Sequence, residues 1–107
     1  MKYTEDEPMC TYLILNARAN MVKIGQSRNP EVRLRSLQTG CPDKLRLLAM
    51  IPLGYLGFPR IALRELDAAY SERGLHVKFA RHRKNGEWFT YSLEIKEFFK
   101  KMCEAGL

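Results

Sequence analysis

TYLILNARANMVKIGQSRNPEVR, residues 11–33, alternates apolar and polar side chains on either side of a short polar connector. The pattern predicts two strands, Cys10–Leu15 and Met21–Gly25, joined as a β-hairpin through Asn16–Asn20. Opposed residues of an antiparallel pair keep a constant sum of residue numbers, so the turn position sets the neighbours. Tyr12 and Lys23 fall opposite each other if the turn centres between Ala17 and Arg18, and become diagonal neighbours if the register lies two units later. A slip of one unit would separate them onto opposite faces. After Gly25, the loop Gln26–Pro30 leads into a helix with Asn29 as N-cap, Pro30 at the first helical position and Glu31 in the first turn. That helix should stop at Gly40. Arg33 stands one turn in, close to the strand end carrying Gly25, where a glycine permits a tight bend or the close approach of a phosphate.

Working outward, Leu45–Ile51 is a short apolar run that reads as a third, largely buried strand, ended by Pro52. Leu53–Phe58 is both glycine-rich and apolar, which fits either a loop packed on the body or a lip for a protein partner or self-association. From Arg60 to Phe79 apolar residues recur at helical steps, with Gly74 as an interruption. Glu72 and His76, four apart, share one face of that helix. Arg81–Gly86 reads as a basic turn and Glu87–Tyr91 as a short extended segment. Ser92 then caps a last amphipathic helix, with Ile95, Phe98, Phe99 and Met102 facing inward. The expected architecture is a small α/β layer (α+β), a three-stranded antiparallel sheet flanked by helices.

Residues 1–9 are polar and acidic and read as a flexible arm, leaving residues 10–107 as one domain. Glu5, Asp6 and Glu7 lie in that arm, so the remainder is more basic than the net charge of +6 conveys. A polyanion partner follows, because lysine and arginine release counterions from phosphates. Cys10, Cys41 and Cys103 have no pairing or metal-ligand spacing and are expected as reduced thiols. No apolar run approaches bilayer-spanning length and no export signal precedes Cys10, so the expected setting is cytoplasmic or nucleoid-associated.

Tyr12, ten intervening residues, Lys23-Ile24-Gly25, and then Arg33 resemble the core of the GIY-YIG nuclease superfamily. The later Leu75-His76-Val77-Lys78-Phe79 and His82–Phe89, ending in Gly86-Glu87-Trp88-Phe89, are similar to the branch described as a phage-type DNA-binding domain. Cys10-Thr11 replaces the Gly-Ile of the first motif, and Lys23 replaces the tyrosine of the second. The resemblance implies a metal-dependent DNA endonuclease, with a non-cleaving DNA-binding module on the same fold as the alternative.

It further implies Tyr12 as general base, Arg33 as phosphate clamp and Glu72 as the carboxylate for one divalent ion, Mg²⁺ or Mn²⁺, held weakly without DNA. His76 would relay a proton or contact the phosphate. Lys23 has a physical role beside Tyr12: a positive charge about 4 Å from a phenol is worth roughly 4 kcal/mol at an effective dielectric near 20, enough to make the phenol a better base. Arg28, Arg35, Arg81, Arg83 and Lys84 are the candidate DNA contacts, and the last three form either a solvated turn or a phosphate rail. Trp88 is read as packing, with base stacking as the rival.

Overall fold

The computed structural model describes residues 9–52 and 71–104. Within them β1 (Cys10–Asn16), β2 (Met21–Ser27), α1 (Pro30–Thr39), β3 (Leu45–Pro52), α2 (Glu72–Lys78), a 3-10 turn (Ala80–His82), β4 (Arg83–Asn85), β5 (Trp88–Thr90) and α3 (Leu93–Glu104) follow in order. The acidic arm through Pro8, the Leu53–Phe58 lip, the helical pattern of residues 60–70 and the Met102 side chain lie outside the described residues.

The sheet has five strands in the order β3-β1-β2-β5-β4, antiparallel throughout, which corrects the expected three-stranded sheet. The fold remains α+β. The additional pair is the β4–β5 hairpin, turned at Gly86, whose φ of +56° puts it in the left-handed region. Each of its strands is three residues long and all of β4 is exposed, so neither shows the alternation by which strands are recognised. What reads as a basic turn is therefore a 3-10 turn running into an edge strand.

The first hairpin is paired so that Tyr12 faces Gly25 and Ile14 faces Lys23. Tyr12 and Lys23 are thus diagonal neighbours on one face. α1 covers that face, where Tyr12, Ile14 and Leu45 pack with Leu34, Leu37, Leu47 and Trp88. On the opposite face Leu13, Leu15, Val22, Ile24 and Phe89 meet Leu75 and Phe79 of the α2 segment and Ile95 and Phe99 of α3. Burial of these side chains supplies the main stabilisation of the fold.

Local signals set the helix ends. Asn29 Oδ1 accepts from the Val32 amide at 3.2 Å, with Pro30 at the start of α1. At the other end, Gln38 donates to the carbonyls of Cys41 and Asp43 and accepts from the Leu45 amide, tying α1 to β3. Ser71 caps α2 through the Gly74 amide, and Ser92 caps α3 through the Ile95 amide.

One edge of the sheet is incomplete, and this positions the site. β5 pairs only with Met21–Lys23 of β2, and a last bond from the Ile24 amide to the Glu87 carbonyl closes the ladder. Beyond Ile24, α2 takes the place of a strand. His76 Nε2 donates to the Ile24 carbonyl at 2.7 Å, satisfying a backbone group that a neighbouring strand would otherwise take.

Candidate functional site

At this open edge, side chains from five segments come together. Tyr12 is 2% exposed and lies flat over Gly25; a Cβ at position 25 would fall 2.9 Å from Tyr12 Cε1 and closer still to Cζ and the hydroxyl. The absence of a side chain at Gly25 is therefore a matter of space. The Arg33 guanidinium, carried one turn into α1, is near enough to the Tyr12 hydroxyl to lower its pKa. Glu72 and His76 come from α2, their ends 4.0 Å apart.

Lys23 sits beside Tyr12 on the same face, almost wholly buried, and its ammonium lies 2.7 Å from Glu87 Oε1 and 5.9 Å from the centre of the Trp88 ring. Glu87 in turn is close enough to Glu72 for each carboxyl to shift the other's pKa. Burial and the Glu87 charge push the Glu72 carboxyl up to about 7. Burial also pushes Glu87 upward, but the hydrogen bonds from Glu72 and Lys23 outweigh it and hold that carboxyl below its ordinary value. The two shifts run in opposite directions, so Glu72 is the carboxyl of the pair that keeps its proton to higher pH.

In this cluster burial, Arg33 and the two carboxyls act on the Tyr12 phenol. The Tyr12 phenol is raised, first by burial and then by the charges of Glu87 and Glu72; Arg33 is the group that lowers it. Lys23 is instead ion-paired with Glu87. The sequence reading passed over Glu87, placing it only in an extended segment. Its signal was Gly86 followed by Glu87, a Gly-X pair that suits the two-residue loop of a hairpin in which Asn85 pairs with Trp88.

The remaining candidates divide. Glu72, His76, Arg33, Tyr12 and Lys23 converge, whereas Arg28 and Arg35 are exposed on and before α1, and Arg83 and Lys84 are exposed on the edge strand β4. Arg81 is held by an ion pair with Glu94, which His82 also approaches at 3.7 Å. His76 has its Nε2 committed to the backbone, so Nδ1 is the nitrogen left for other partners. Trp88 packs on the α1 face beside Lys23.

Among the described residues no group of three or more His, Cys, Asp and Glu side chains is placed to hold a metal. Glu72 and Glu87 are the carboxyls of the cluster that could supply oxygen donors to a divalent ion. No helix of the described residues is long and apolar enough to cross a membrane.

No curated protein and no solved structure matches the chain. The model of the T5orf172 domain matches residues 9–103, nearly its whole length. That domain is phage-associated and related to GIY-YIG and HNH-like nuclease folds, which suggests interaction with DNA as a nuclease or a binding module. With the match running from the start of β1 to the last turn of α3, the chain belongs to the T5orf172 domain family.

Proposed function

We propose that the chain is a metal-dependent DNA endonuclease of the GIY-YIG type. The observation that carries this reading is the convergence of Tyr12, Arg33, Lys23, Glu72 and Glu87 at the open edge of β2. Phosphodiester hydrolysis needs a base for the attacking water, positive charge on the crowded phosphate and help for the leaving oxygen. Each has a candidate among these side chains.

Arg33 presents a guanidinium to a phosphate beside the Tyr12 hydroxyl, whose pKa it lowers, so one group both positions substrate and favours the phenolate. Tyr12, having first lost its own proton to solvent, accepts the water's proton as the phenolate. Glu72 and Glu87 would hold a divalent ion, with Glu72 giving up its proton. Such an ion, once bound, supplies Lewis-acid polarisation of the phosphate and offsets the carboxylate charge that otherwise raises the phenol. Lys23 keeps Glu87 in place and ionised.

A supercoiled plasmid incubated with Mg²⁺ or Mn²⁺ tests this reading directly. Arg33→Ala and Glu72→Ala should each lower cleavage by about 100-fold or more, the scale of losing one transition-state donor. Cleavage that persists in both variants would remove this site. The second reading, a non-cleaving DNA-binding module, is favoured by the burial of Tyr12 and its raised pKa, which make the phenol a poor base at rest. Salt-sensitive binding without strand breaks under any divalent ion would select it.

A further inference from the structure

Behind the carboxyl pair, on the outer side of α2, lies a cavity of about 490 Å³ lined by Arg73, His76, Val77, Ala80 and Arg83. We propose that this cavity is the subsite for the nucleotide neighbouring the cleaved phosphodiester, with Arg73 and Arg83 taking its phosphate and Val77 and Ala80 its sugar or base face. The proposal rests on the nuclease reading for its place in the reaction.

Helical geometry joins the two sites. Glu72 and His76 are four residues apart, as are Arg73 and Val77, so α2 presents two adjacent rows about 100° apart. One row faces the carboxyl pair and the other faces the cavity. His76 belongs to both: its Nε2 holds the Ile24 carbonyl while its ring forms a wall of the cavity. A strand with one phosphate at Arg33 and Glu72 therefore continues over His76 into the cavity.

The lining matches a nucleotide chemically. It contains two guanidiniums and no carboxylate, and among the described residues neither Arg73 nor Arg83 is paired with an acid. The nearby acid Glu94 is already engaged by Arg81. The Arg83 guanidinium stacks 5.4 Å from the centre of the Phe89 ring, which orients it. Val77 is 72% exposed, an apolar surface that a sugar or base would cover. The volume falls within the range of about 300–1,000 Å³ common for small-molecule sites.

Two measurements on the full chain test the subsite. In steady-state cleavage of an oligonucleotide, the double variant Arg73→Ala/Arg83→Ala should raise KM about 10-fold or more. It should also flatten the salt dependence of binding by roughly two phosphate contacts, with kcat nearly unchanged. Arg33→Ala should instead lower kcat. Separately, thymidine 3′,5′-bisphosphate titrated into methyl-labelled protein should shift the Val77 and Ala80 methyl signals, and the double variant, with an unchanged melting temperature, should abolish the shift. A chain that cleaves DNA while the double variant behaves like the native protein and the methyls stay still overturns the subsite and leaves the nuclease reading standing. Methyl shifts in a chain that cleaves nothing support the subsite and overturn that reading.

Discussion

At the scale of single residues, the contact between Tyr12 and Gly25 sets the geometry of the site. The phenol lies in the space a side chain at position 25 would occupy, and that space is enclosed, since Tyr12 is 2% exposed. Gly25→Ala should destabilise the protein by about 1–3 kcal/mol, the cost of overpacking a filled core. Urea denaturation provides the check, and the loss should shrink in a Tyr12→Val background because the colliding atoms are gone. Equal losses in both backgrounds would mean that the ring is not what the alanine meets. The pairing of Lys23 with Glu87 is a second residue-scale constraint, because a nearly buried ammonium without its carboxylate leaves an uncompensated charge.

At the scale of elements, the β4–β5 hairpin delivers Glu87. Its turn needs a positive φ at Gly86, so Gly86→Ala should cost about 1 kcal/mol through the left-handed backbone penalty, measurable by urea denaturation. Metal-dependent cleavage should fall further than stability alone explains, because Glu87 is the next residue. The hairpin was hard to read in the sequence because its strands span three residues each and the outer one buries nothing. By contrast α1 and α3 were legible, since Asn29 and Ser92 accept from amides in the first turn of their own helices and Pro30 has no N–H to leave unpaired there. Capping is a local event and leaves a local trace.

At the scale of the whole molecule, the cluster draws side chains from β1, β2, α1, α2 and the turn between β4 and β5. Its pH dependence follows from Glu72, whose folded pKa of about 7 lies above its ordinary value of 4.5. A group raised in this way contributes stability that is fully present below the unfolded value and is lost as pH rises through the folded one. Without metal, the melting temperature should therefore decline between pH 5 and 8 more steeply in the native chain than in Glu72→Gln, which keeps a donor for Glu87. Equal slopes would show that Glu72 does not keep its proton to higher pH.

The sequence by itself determined the first hairpin, the common face of Tyr12 and Lys23, the bounds of α1, the start of α3 and the basic balance of the chain. These depend on period, capping and charge, which act over a few residues or none. Only the tertiary structure decided that Glu87 pairs with Lys23, that burial raises Tyr12, and that His76 of α2 takes the Ile24 carbonyl. Those outcomes depend on burial and on which distant carboxylate arrives beside which cation, and both exist only once the sheet and helices have packed.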